Sequence, residues 1–337
     1  MAKVVPLDIK IDVFLRFPKK NSLWPETRLL PFRWATLYMS SSLIALSDGM
    51  QAGWSSPIIP RLLLPSSPIK IDEDYIVWIE NTYMIGGLFG LGITIYLLDK
   101  IGRKKTILVA AVQSFLAWVV IGVARTPWML LLGRLIAGIS GDINYITTPV
   151  YISEISHKSV RGSLGSTVYI MMHVGILLVY CIGPYISILN TSIVGAVINV
   201  VQFLTFLGMP ESPYYLLMKE REEEARKSLV ILRASKNVEE EFKSISESVN
   251  EENRNPTRLL DLFSVKTNRK GLMITIVLNA VQDFSGMTVL VMNLQTILDD
   301  MSSTISPTFI PIIFMVFVVI SSITGAFLMD SLEDKNF

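Results

Sequence analysis

Apolar residues in this chain gather into long unbroken runs instead of alternating with polar ones. Eight runs stand out, at residues 34–57, 75–98, 106–124, 128–151, 163–183, 186–208, 271–293 and 307–329. A run of about 20 apolar residues matches a bilayer core of roughly 30 Å. Inside lipid every backbone N–H and C=O needs a partner within the protein. A run of this length without period-2 alternation meets that need as a helix. The pattern predicts an all-α membrane protein that crosses the bilayer eight times.

The polar stretches between the runs set the topology. Residues 1–33 carry seven Lys or Arg. The hinge at 99–105 and the long segment 209–270 are also basic, whereas 184–190 and 294–306 hold no Lys or Arg. Basic loops stay on the cytoplasmic side. All eight spans then alternate correctly, with both termini cytoplasmic. Within 209–270, the stretch MKEREEEARKSLVILR mixes charges with Leu229, Val230 and Leu232. It reads as amphipathic helix, and two to four short helices are expected there. The organisation is therefore a segment at 1–33, a six-helix bundle at 34–208, a helical linker at 209–270 and two further spans at 271–337.

Composition agrees. Only 18% of the 337 residues are charged and 51% are hydrophobic, against about a quarter charged in soluble domains. A net charge of +1 gives no reason to expect nucleic acid. The single cysteine, Cys181, excludes an internal disulfide. We find no metal-ligand spacing, no phosphate-cradling glycine loop and no nucleophile–base constellation. No enzyme activity, cofactor or metal is expected, and residues 1–33 lack the early apolar stretch of a signal peptide.

Short motifs sharpen the reading. The hinge runs Asp99-x-x-Gly102-Arg103-Lys104. Further on come Gly133-Arg134-x-x-x-Gly138, PVYISEIS at 149–156, Arg161-Gly162 and PESPYYLL at 210–217. In this order and spacing they resemble the sugar porters of the major facilitator superfamily, most of all the insect facilitated trehalose transporters, whose pattern GWSSPIIP at 53–60 also fits. The resemblance implies the major facilitator fold: an N-terminal six-helix bundle plus the first two helices of the C-terminal bundle. It implies facilitative transport of a hexose or a trehalose-like disaccharide across the plasma membrane by alternating access. The expected partners are a small sugar and the lipid bilayer. It also implies a conformational latch made by Asp99, Gly102, Arg103, Arg134, Glu154, Arg161 and Glu211, all expected at cytoplasmic helix ends.

The family's two halves repeat in parallel. LLDKIGRKK closes the second span, and LMDSLEDKNF follows the eighth, so Asp330 matches Asp99. Spans nine to twelve are then expected beyond the chain. The alternative is a non-transporting, truncated or regulatory form that pairs with a full-length porter.

Polar residues at membrane depth are functional candidates by default. By resemblance Gln51 stands where proton-coupled porters carry an aspartate, and a glutamine cannot carry the proton. Tyr169 takes the place of a sugar-contacting glutamine, with His173 one turn on. In VQDFSGMT, Gln282 keeps a family amide, while Asp283 and Thr288 replace others. Amides suit sugars because they donate and accept at once, whereas an ionised aspartate only accepts. The expected substrate contacts are Gln51, Tyr169, Gln282, Asp283 and Thr288. Tyr145 and Val318 are also expected to alter the pocket.

Overall fold

A computed structural model describes residues 30–65, 67, 69–156, 161–235, 237–254, 261–299 and 308–333. The basic stretch expected at 1–33 lies outside the described residues up to position 29. The first long helix, α1 (Leu30–Ala52), is followed by α2 (Ser55–Leu63), α3 (Glu73–Ile101), α4 (Arg103–Gly122), α5 (Pro127–Ile155), α6 (Arg161–Ile182) and α7 (Ile188–Leu207). Four short helices follow: α8 (Pro213–Met218), α9 (Glu222–Arg233), α10 (Glu239–Arg254) and α11 (Asp261–Ser264). Last come α12 (Lys266–Phe284), α13 (Met287–Asp299) and α14 (Phe309–Glu333). Seven stretches among the described residues are long and apolar enough to cross a membrane, counting α12 with α13 as one. The helix α1 packs beside them, against α6 and α7.

Two expected spans are broken. The first run, read as 34–57, divides at Gly53-Trp54 into α1 and α2. The seventh, read as 271–293, divides at Ser285-Gly286, where Gly286 adopts φ +76°. Apolar runs do not reveal such breaks, because both segments beside each break remain apolar. The second break follows a backbone conformation that glycine adopts freely.

Small residues let the long helices approach closely. A Cβ on Gly49 of α1 would lie 2.0 Å from the Met172 carbonyl oxygen of α6, and one on Gly175 would lie 2.1 Å from that of Leu46. Between α3 and α5, a Cβ on Gly138 would lie 1.9 Å from the Tyr83 carbonyl oxygen, and one on Gly86 would lie 2.4 Å from that of Leu135. Lipid supplies no hydrophobic drive between helices, so close backbone contact of this kind holds a membrane bundle together. The main core, with Met50, Trp54, Ile79, Trp118, Leu130 and Tyr180, fills the bundle away from the hinge.

The linker is a packed unit rather than a tether. Tyr215, Leu216, Leu217, Ala225, Leu229, Val238, Phe242 and Val249 form its own buried cluster. It lies against the ends of α3, α4 and α5 that carry the Gly102 hinge, which we term the hinge end. The α6–α7 turn marks the far end, where Arg61 of α2 donates to the carbonyls of Gly183, at 2.5 Å, and Ile186.

Candidate functional site

At the hinge end the structure gathers most of the expected latch. Arg103 is buried, and its Nε and Nη2 donate to Glu154 Oε1 at 3.1 and 2.8 Å. Its guanidinium also stands 5.2 Å from the centre of the Tyr215 ring. Glu211 Oε1 accepts from the Lys104 backbone N–H at 3.0 Å, and so caps the start of α4 from the linker. Gly102 has φ +91°, and a Cβ there would fall 2.6 Å from both Glu211 Oε2 and Tyr215 Cε1. Glycine is needed at this position for backbone angle and for space. The Tyr215 hydroxyl donates to the Lys100 carbonyl at 3.1 Å, and burial, then the Glu211 carboxylate, push its pKa up. Asp99 is exposed. The Arg161 side chain lies outside the described residues.

Within this cluster Arg103–Glu154 joins α4 to α5 inside the six-helix bundle, and Glu211 and Tyr215 join the bundle to the linker helices. One expected member of the latch is corrected. Arg134 is not part of it at all. It lies in the far-end half of α5, fully buried, where Nη1 donates to the Gln51 carbonyl at 2.8 Å and Nη2 to Ser55 Oγ at 3.2 Å. Its guanidinium stands 4.2 Å from the Tyr83 ring centre and 5.4 Å from that of Trp54. The reason is register: Pro127 starts α5 at the far end, so Arg134 is two turns in from there, whereas Glu154 sits at the opposite end of the same helix.

The middle of the bundle holds a cavity of about 180 Å³ between α1, α3, α5 and α6. Its polar wall is Asp48, Tyr83, Asp142, Asn144, Tyr145, Thr148 and Tyr169, and its lining includes no Lys, Arg or His. Asn144 donates to Asp48 Oδ1 at 3.2 Å. The Tyr145 and Tyr169 rings meet edge-to-face, 6.5 Å apart. Of the expected contacts whose side chains are described, only Tyr169 lines this cavity. Gln51 instead points toward α4, where its Nε2 donates to Ser114 Oγ at 2.7 Å. Gln282 and Thr288 lie exposed on α12 and α13. The Asp283 side chain lies outside the described residues. Sequence reasoning missed Asp48 and Asp142. The signal was present, since both are acids inside apolar runs.

Above the cavity the two parts of the chain meet. Ser56 Oγ accepts from the Gln295 backbone N–H at 3.1 Å, Asn293 donates to Glu80 at 3.1 Å, and the Tyr180 hydroxyl donates to the Val291 carbonyl. Level with the cavity, Ser322 of α14 and His173 Nδ1 of α6 are 3.0 Å apart. Val318 packs against the main core. Toward the hinge end α12 stands off from the bundle, and Leu278, Val281 and Phe284 are exposed.

The profile of a family described as sugar (and other) transporter matches residues 32–333. The chain belongs to that family. Among the relatives of this chain, the mouse facilitated glucose transporter member 6 of solute carrier family 2 is 34% identical over 260 residues, covering 76% of this chain and 51% of the relative. The facilitated trehalose transporter Tret1 of Polypedilum vanderplanki is 29% identical over 330 residues, covering 97% of this chain and 64% of the relative. The chain thus spans between half and two thirds of the length of these relatives. The fold matches that of the major facilitator proton:xylose symporter XylE bound to 6-bromo-6-deoxy-D-glucose, with a TM-score of 0.72 at 18% identity, covering 87% of this chain and 69% of that one. The chain is therefore a multi-pass membrane protein with the major facilitator fold.

Proposed function

We propose that the protein moves a small sugar, a hexose or trehalose-like disaccharide, across the plasma membrane by facilitative alternating access, with the hinge end in the cytoplasm. The observation that carries this reading is the polar cavity at mid-bundle, closed above by α2 against α13 and unobstructed below by α12. Such a site is reached from one side at a time, and the arrangement corresponds to an inward-facing state. Breaking the Ser56–Gln295 and Tyr180–Val291 contacts while α12 closes would turn the cavity outward. No bond in the substrate is made or broken. The Arg103–Glu154 pair, which holds α4 to α5, and Glu211, which holds the linker to α4, act together as the latch, so that bundle and linker move as one body. Gln51, bonded to Ser114, has no proton to exchange, which favours downhill movement.

The test is uptake of radiolabelled glucose and trehalose into proteoliposomes containing the protein. Saturable flux that leaves the two sides at equal sugar concentration is expected. Binding without flux would turn the reading to a non-transporting form that needs a full-length porter, and the absence of both would end the sugar assignment.

A further inference from the structure

Two carboxyl groups line the central cavity, and none of its described lining residues is cationic. They are Asp48 of α1 and Asp142 of α5, and both lie within electrostatic reach of the Tyr83 hydroxyl. Arg134, a buried cation of α5, is held by Gln51, Ser55 and the Tyr83 face. His173, beside Met172 of the wall, is engaged with Ser322. Among the described residues neither aspartate has an ion-pair partner, and Asp142 Oδ2 accepts no hydrogen bond. A carboxylate at membrane depth without a counter-charge is costly.

Neutral groups in the same wall are also left open. Thr148 is 2% exposed and lines the cavity, and its Oγ1 makes no hydrogen bond. Asn144 is 1% exposed, and its Oδ1 accepts nothing although its amide nitrogen serves Asp48. Unpaired polar atoms at such burial call for a partner. A hydroxyl-bearing ligand suits Thr148 and Asn144, because a hydroxyl both donates and accepts. The exposed ring of Tyr145 and that of Tyr169 offer π-faces to a sugar ring or to a cation. The volume of about 180 Å³ accommodates a single pyranose.

We infer that this cavity selects an amino sugar, a monosaccharide whose protonated amine sits between Asp48 and Asp142 while its hydroxyls meet Thr148 and Asn144. The inference rests on the proposed function, in which the cavity is the substrate site, and it narrows the substrate to a cationic sugar.

Binding to the purified protein, read by isothermal calorimetry at about pH 6.5 where such an amine holds its proton, tests it. The probes are glucosamine, glucose and N-acetylglucosamine, the last having the same nitrogen without its charge. Glucosamine is expected to bind at least about tenfold more tightly than either neutral sugar. Asp48→Asn and Asp142→Asn, each checked for wild-type elution and melting, are expected to reduce that preference to about twofold or less. Equal affinities for the three sugars in the wild-type protein would overturn the inference and leave the sugar reading standing. Binding of none of them would overturn the inference alone, since uptake of trehalose tests the sugar reading separately. A preference retained by both folded variants would place the amine elsewhere and overturn the inference alone. Because the wild-type comparison decides by itself, a variant that fails to fold does not protect the idea.

Discussion

At the scale of single residues, burial separates side chains that the motifs had grouped. Arg134 and Arg103 sit in neighbouring family motifs, yet one stabilises the far half of the bundle and the other its hinge end. Arg134→Met keeps the length and removes the donors to Gln51 and Ser55. Hydrogen bonds to charged groups contribute about 1.5–3 kcal/mol, so the variant should melt several degrees lower in detergent while leaving protease cleavage in the linker unchanged. The opposite pattern is expected for Gly102→Ala. With φ +91° and ψ 174° the backbone is in a region essentially reserved for glycine, costing a side chain roughly 1–3 kcal/mol, and the new Cβ would push away the Glu211 carboxylate and the Tyr215 ring. Limited proteolysis should cut the linker of that variant faster, with global melting little changed. The hinge was readable in sequence because glycine, acid and bases are close together there. Asp48 and Asp142 were readable as well, but only by charge. The Gln51 contact with Ser114 was not, since nothing local says which face of α1 meets α4.

At the scale of elements, length and apolarity were sufficient to locate the spans, and mixed charge with aliphatic residues was sufficient to place helices in the linker. The breaks at Gly53 and Gly286 were hidden because hydrophobic pattern records the medium around a segment and not the course of its backbone. The attachment of the linker was hidden too, because it depends on partners far apart in sequence, such as Arg233 with the Ile155 carbonyl at 2.9 Å and Tyr151 with that of Pro210 at 2.6 Å. A double-mutant cycle on Arg103→Ala and Glu154→Ala should give a coupling of about 1.5–3 kcal/mol, measured by reversible unfolding. Coupling near zero would mean that the pair contributes nothing to holding α4 against α5.

At the scale of the whole molecule, α2 and α13 meet at the far end, and this seam is the closure that the proposed function requires. Cysteines at Ser56 and Gln295, whose hydroxyl and backbone N–H are 3.1 Å apart, should cross-link on mild oxidation. Flux should stop in the oxidised protein and return on reduction; flux that continued through the cross-link would exclude opening at this seam. The cap that Glu211 places on α4 has a bearing on biogenesis. The start of α4 leaves its amide hydrogens without helical partners, and the acceptor that satisfies Lys104 is made 107 residues later. Until residue 211 has been made, that amide can be served only by water, so this contact of the hinge turn is completed late in the synthesis of the first half.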